Sequence, residues 1–314
     1  LDLNGFTFVG MAIRLIALDL DGTLLTSRGE VSEGNRRSLV LAREQGVRVA
    51  LVTGRRFRDA RPLALELGLD VPLISHNGAL TKHAHSLENV AVLLLPLDAA
   101  LAVLRIGRER GLDAMVSDDP EGKGVLIYDR LSDNNQALAR YIAWSARIHG
   151  AEAEEAIRRV ASLPDYLDHA PVHISFTGTV ALMQALGEAI ESEMKERVKI
   201  LSTVYAKQDF ALLDVLHPEA SKGTGVAAAA AEYGLTREEV MAVGDNFNDL
   251  AMLYYAGTPV VMGNADPALH DIEGFHRTAT NDEDGVALAI ERFVLQPTNF
   301  QETDNGKSHR SYPN

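Results

Sequence analysis

Short apolar runs alternate with amphipathic stretches at both ends of the chain, and a different pattern fills the middle. Near the start, residues 14–20 form a strand pattern that closes on acidic residues. Residues 32–45 carry a helical period stopped by Gly46, and residues 47–52 form a second strand. Another helix over 58–67 ends at Gly68, before a short strand at 72–75. The same rhythm returns late, with helices at 220–233, 250–256 and 284–294 and strands at 240–243 and 259–262. Strand, helix, strand at this spacing predicts a parallel sheet with right-handed crossovers.

Between them, strand patterns at 90–95, 114–117, 125–129, 172–177 and 198–202 mix with longer helical patterns at 97–110, 136–148, 152–163 and 180–196. In the 152–163 segment, Glu152, Glu154 and Glu155 with Arg158 and Arg159 read as a solvated helix face with i,i+4 pairs. The expected class is α/β: a Rossmann-like parallel-sheet core made of residues 11–82 and 207–295, carrying an inserted α+β cap over 83–206. Residues 1–10 read as an extension before Met11, and 296–314 as a polar flexible tail.

Composition narrows the function. No apolar run approaches the ~20 residues of a membrane helix, so no membrane partner is expected. The chain has no cysteine, which removes thiolate catalysis and cysteine-bound metals and suits a cytoplasmic protein. A net charge of −14 over 314 residues argues against a nucleic-acid partner. It also means that any anionic substrate needs a local source of positive potential.

The chemistry gathers where the strand patterns end. Asp19 and Asp21, two residues apart, repel each other unless a cation offsets the cost, and Gly22 and Thr23 let the chain turn and offer a hydroxyl. This suits a divalent metal and a nucleophile. Thr53 and Gly54, followed by Arg55, offer a hydroxyl and a close backbone approach to a phosphate oxygen. Lys222 adds a positive charge at a helix start, where free amides favour anions. Gly244-Asp245-Asn246-Phe247-Asn248-Asp249 supplies a further carboxylate cluster. Each segment alone has a plainer reading: a turn or calcium-type loop for the first, a strand-end turn for the second, a helix cap for Asn248 or Asp249. Their joint order along a sheet whose strand ends converge favours one site.

Asp19-x-Asp21-Gly-Thr23, Thr53-Gly54-Arg55, Lys222-Gly223 and Gly244-Asp245-x-x-Asn248-Asp249 resemble the four motifs of the haloacid dehalogenase superfamily. Ser75-His76-Asn77-Gly78-Ala79, Val261-Met262-Gly263-Asn264-Ala265 and Thr280–Val286, with the position of the insert, resemble its Cof-like sugar-phosphatase branch. The resemblance implies Asp19 as nucleophile forming an aspartyl-phosphate and Asp21 as the acid, then base. It implies Mg²⁺ held by Asp19, Asp245 and the backbone carbonyl of Asp21, and phosphoryl oxygens held by Thr53, Gly54, Lys222 and Asn248, with Asp249 in support. The expected partner is a small phosphorylated metabolite, above all a sugar phosphate, and the expected state is a monomer or homodimer. Arg55, Asn77 and His173 are candidate substrate contacts. Two other readings are a phosphomutase of similar architecture, which needs a second, basic phosphate site in the cap, and a non-catalytic binding protein on the same scaffold.

Overall fold

The structure, a computed structural model, describes residues 12–69, 71–133 and 135–296. The expected extension at 1–10 and the tail from 297 onward lie outside the described residues.

Fourteen strands among the described residues divide into two sheets. The first sheet is centred on β1 (Leu15–Asp19), whose five residues are all buried. On one side lie β2 (Arg48–Val52), β3 (Leu73–Ser75), β4 (Leu80–Lys82) and β5 (Asn89–Val92). On the other lie β12 (Val240–Gly244), β13 (Thr258–Val261) and β14 (His276–Arg277). From β14 to β3 the pairing is parallel, as the alternation predicts, while β4 and β5 extend the edge antiparallel.

Both faces of this sheet are covered. Ile16 and Leu18 pack on the side of α1 (Glu33–Glu44), α2 (Phe57–Glu66) and the late helix Gly285–Ile290. Leu15 and Ala17 pack on the side of α8 (Lys222–Glu232) and α9 (Leu250–Tyr255). Helix α1 starts at Ser32, whose hydroxyl accepts from the Asn35 amide 3.1 Å away, and Gly46 follows its end with φ +80°.

The second sheet has the order β10 (Lys199–Tyr205), β11 (Phe210–Leu216), β9 (His173–Gly178), β6 (Ala114–Asp118), β7 (Val125–Tyr128), β8 (Ile157–Arg159). Its pairings are antiparallel except β7 with β8. One face is covered by α3 (Leu97–Glu109) and α7 (Val180–Met194), around Phe176 and Leu213. The other face carries α4 (Gln136–His149) through Leu138, Tyr141 and Ile142, and at its Leu201–Leu216 end it packs on the core.

Three expectations need correction here. The cap does not begin at residue 83: β5 belongs to the core sheet, paired with β4. Nor does the core resume at residue 207, because β11 is the central partner of β9 and β10 in the cap sheet. A change of pattern marks the loop at His83–Glu88, which is a turn inside the core (the His83 amide donates to the Glu88 carbonyl, 2.9 Å), not the crossing. The single helix over 152–163 is replaced by a one-turn α5 (Ala153–Ala156), strand β8 and a one-turn α6 (Leu163–Tyr166). Ile157-Arg158-Arg159-Val160 suits an edge strand beside β7, and Ser162 and Pro164 start a new turn. The i,i+4 pairs vanish with that helix: Glu152 instead meets Arg58 and Lys123.

The cap is fixed to the core through α2. Arg56 and Asp59 form a bidentate pair, and Asp59 accepts from the Tyr141 hydroxyl at 2.6 Å and contacts His149 Nε2 at 3.1 Å. Arg58 Nε donates to the Gly124 carbonyl at 2.6 Å. Pairs as buried as Arg56 with Asp59 hold only when their remaining hydrogen-bonding positions are met, and here cap groups meet them.

Candidate active site

Parallel register sets the site. Asp19 pairs beside Val52 on one side of β1, and Leu18 pairs beside Val243 on the other, so the segments after β1, β2 and β12 leave the sheet at one edge. Helix α8 begins at that edge, with Lys222 as its first residue and Ser221 as its cap. The loop after β3 abuts this start: Gly78 has φ +91°, and a Cβ there would lie 1.8 Å from the Ser221 carbonyl oxygen. Only a glycine fits.

Lys222 is buried, and its Nζ donates to Asp19 Oδ1 at 2.6 Å and to Asp249 Oδ1 at 2.5 Å. The other oxygen of Asp249 accepts from the Asp245 and Asn246 amides, both at 2.9 Å. Asp249 is thus filled from both sides, which suits support of Lys222 and of the Asp245 loop. Carboxylate oxygens of Asp19, Asp245 and Asp249 lie within 4.8 Å of one another.

Three carboxylates face one ammonium here, and the electrostatics show the excess. Burial pushes the Asp19 carboxyl well above its ordinary range; Lys222 works against the rise, and Asp249 and Asp245 add to it. Burial, with the charge of Asp249, pushes Asp245 up to about 6, against a hydrogen bond from the Thr23 hydroxyl (3.2 Å). Burial would lower Lys222, but Asp19 and Asp249 outweigh it and hold the ammonium above its ordinary value. A divalent cation relieves this crowding, and the all-oxygen donor set suits Mg²⁺. Gly22, at φ +87°, lets the loop after Asp19 approach Asp245 closely: a Cβ there would sit 2.3 Å from Asp245 Oδ2.

Asp21 stands apart from the acidic group. Its carboxylate receives both Arg55 Nε (2.8 Å) and Arg55 Nη2 (2.5 Å) and is largely exposed. Thr53 is buried, its Oγ1 accepting from the Arg55 amide at 3.1 Å. Asn248 Nδ2 donates to Asn77 Oδ1 at 3.2 Å, and a Cβ on Gly54 would meet the Asn77 amide at 3.1 Å. So Asp19, Lys222, Asp245 and Asp249 form one cluster; Thr53, Gly54, Asn77 and Asn248 line its flank; and Asp21 and Arg55 pair at the mouth. Arg55, a candidate substrate contact, is spent on Asp21.

His173 does not join them as a substrate contact. It is buried on β9, where its Nε2 meets Ser175 Oγ at 2.7 Å and its ring lies edge-on to His76, centroids 5.0 Å apart. Alternation along the strand would let His173 face the cleft, but its ring packs against His76 and Ser175 instead.

Two supports lie in motifs the sequence singled out without a role for them. Asn264 Nδ2 donates to the Gly22 carbonyl at 2.8 Å, and Asn264 Oδ1 accepts from the Asn281 amide at 2.9 Å. Asn281 Nδ2 in turn reaches the Leu25 carbonyl at 2.8 Å, so both asparagines pin the loop that follows Asp19. Their signal is position: each follows the end of a strand on the site's edge.

Comparison with known proteins identifies the family. A family model described as haloacid dehalogenase-like hydrolase matches residues 16–290. Pyridoxal phosphate phosphatase YbhA of Escherichia coli (strain K12) is 31% identical over 269 residues, covering 82% of this chain and 91% of that protein. The 5-amino-6-(5-phospho-D-ribitylamino)uracil phosphatase YwtE of Bacillus subtilis (strain 168) is 27% identical over 290 residues, covering 90% and 98%. The crystal structure of a haloacid dehalogenase-like hydrolase from Bacteroides thetaiotaomicron superimposes with a TM-score of 0.73 at 28% identity, covering 89% of this chain and 99% of that one. The chain belongs to the haloacid dehalogenase-like hydrolases.

Proposed function

We propose that the protein is a Mg²⁺-dependent phosphomonoesterase that hydrolyses small phosphorylated metabolites through an aspartyl-phosphate on Asp19. The observation that carries the reading is the buried Lys222 bridging Asp19 and Asp249 at the sheet edge. Asp19, Asp245 and the Asp21 carbonyl would hold the ion, which when bound neutralises phosphoryl oxygens and keeps Asp19 ionised.

The rest falls to the chain's own groups. Asp19 attacks phosphorus as the ester P–O bond breaks, and Asp21 gives its proton to the departing alcohol oxygen. Asp21 then takes a proton from the water that cleaves the phosphorus–oxygen bond to Asp19, releasing inorganic phosphate. Its exposed position at the mouth suits contact with the leaving group, and Arg55 must release it for the first step. Lys222, Thr53 and Asn248 orient the phosphoryl oxygens, with Gly54 allowing the close approach, in a reaction that depends chiefly on positioning and charge neutralisation.

Hydrolysis is favoured over mutase chemistry because four of the cap arginines are already paired with cap carboxylates. Arg105 pairs with Glu109 and Glu193, Arg108 with Asp129, Arg130 with Asp113 and Arg197 with Asp98. The acidic composition argues against a nucleic-acid partner, and the absence of cysteine suits the cytoplasm. Phosphate release from a panel of phosphate monoesters tests the reading: activity should vanish in EDTA and return with Mg²⁺. Metal-independent release, or none from any ester, would refute it.

A further inference from the structure

The turn between β3 and β4 touches three of the four segments that meet at the site. Its residues His76, Asn77 and Gly78 stand in succession at φ +51°, +52° and +91°. Left-handed residues in a row, only one of them glycine, persist where their surroundings hold them. Toward the site the holds are polar. The His76 amide donates to the Arg55 carbonyl at 2.9 Å, and the Asn77 amide to the Thr53 carbonyl at 3.0 Å. Asn77 Oδ1 accepts from Asn248, and Gly78 lies against the Ser221 carbonyl, beside Lys222. A further hold comes from the cap. The buried His76 ring meets the buried His173 ring of β9 edge-on, with centroids 5.0 Å apart and planes at 64°. His76 Nδ1 lies 3.0 Å from Ser75 Oγ. Burial lowers the pKa of both imidazoles; His173 and Arg56 lower His76 further, and Arg56 does the same to His173. At neutral pH the contact is therefore between two uncharged rings.

We propose that His76 is a positioning residue: braced by His173 of the cap, its ring holds the turn that aligns Thr53 and Asn248 on the phosphoryl oxygens. The inference rests on the phosphatase reading, which gives Thr53 and Asn248 that role. The line of contacts is short. The His173 ring meets the His76 ring, His76 sets the backbone of Asn77, and the Asn77 side chain holds Asn248. The same two turn amides tie down the loop that carries Thr53. Arg56, at the end of that loop, is gripped by the cap as well, its Nη1 donating to the Ala156 carbonyl at 3.2 Å. A shift of β9 therefore moves phosphoryl-holding groups that β9 does not touch. Misplacement by about 1 Å is enough to cost on the order of a hundredfold in rate.

The test removes each ring in turn. His76→Asn keeps a residue that tolerates positive φ and loses the ring. His173→Leu fills the space without a ring, and His173→Phe restores one. With p-nitrophenyl phosphate and Mg²⁺, well below each variant's Tm, kcat should fall about tenfold in His76→Asn and in His173→Leu, with KM changed less than about threefold. It should return in His173→Phe, and the double variant His76→Asn/His173→Leu should be no slower than His76→Asn alone. Calorimetric titration with vanadate, which adopts the five-coordinate shape of the transition state, reads the same alignment without turnover, and its affinity should fall about tenfold in both ring-less variants. A lowered Tm with unchanged kcat and vanadate affinity would make the contact structural only and overturn the proposal. So would a loss confined to His76→Asn, or one equal in His173→Leu and His173→Phe. Turnover by the unaltered protein judges the phosphatase reading separately: no phosphate from any ester refutes that reading, while the vanadate affinities still judge the alignment.

Discussion

The core and the cap each bury carboxylates, and they treat them in opposite ways. At the core's strand ends, Asp19 and Asp249 share one buried ammonium, Lys222, with Asp245 beside them. In the cap, Asp214 is equally buried but meets only neutral groups: the Ser175 hydroxyl at 2.6 Å and the His173 ring, whose Nε2 lies 3.6 Å away. Burial, with the charge of Arg56, pushes His173 down to about 3, so it offers no positive charge at neutral pH. The core cluster is thus organised around a cation, the Lys222 ammonium, and the cap cluster around a proton. Buried carboxylates alone therefore do not mark the chemistry; the company they keep does.

The sharpest break of that contrast is at Asp19. Asp19→Asn should lower kcat by about ten-thousand-fold or more while substrate still binds, since the nucleophile is lost and Lys222 keeps Asp249. Single-turnover phosphate release measures it, and near-normal activity would end the assignment. Next comes Lys222→Met, which strands two buried carboxylates. Breaking one side of a buried ionic group costs about 3–5 kcal/mol, so its urea midpoint should fall far below that of the unaltered protein. An unchanged midpoint would mean that Lys222 does not balance the cluster.

Adding Mg²⁺ probes the same contrast from the ligand side. At a hundredfold excess over its Kd, an ion that binds only the folded state adds about 2.7 kcal/mol. Mg²⁺ should therefore raise Tm, EDTA should reverse the rise, and Asp245→Asn should abolish it. A rise that survives Asp245→Asn would put the ion elsewhere.

How much of this was legible in the sequence differs between the two regions for a physical reason. The core's residues are short motifs at the ends of continuous apolar strands, and a parallel sheet brings such ends together whatever lies between them. Asp19, Thr53, Lys222 and Asp245 could therefore be put on one sheet edge from their joint pattern, while their roles came from the family resemblance. In the cap, placement depends on antiparallel register between distant segments. Residues 207–216 read as a return to the core, yet Phe210–Leu216 is paired on both sides within the cap sheet. The Asp214–Ser175 bond exists only through that register. Likewise, Ile157–Arg159 became a strand because β7 offered an edge, which no helical period among its own residues could reveal.

The smallest effect concerns Asp214. Burial pushes its carboxyl up to about 6, against a hydrogen bond from Ser175 that works to lower it. In the unfolded chain an aspartate titrates near ~3.9. Between those values the folded state holds a proton that the unfolded state has released, so this group's contribution to stability is fully present below pH ~4 and is lost as pH rises through about 6. The loss is on the order of 2 kcal/mol. Asp245, pushed up to about 6, titrates in the same window with the same sign, and Asp19 is shifted in the same direction, so the informative quantity is a difference. Asp214→Asn keeps an acceptor for Ser175 and removes the titration. Denaturation across pH 4–7 should show the unaltered protein losing about 2 kcal/mol relative to the variant as pH rises. Parallel pH profiles would mean that Asp214 is ionised throughout and has a cationic partner after all, which would erase the contrast with the core.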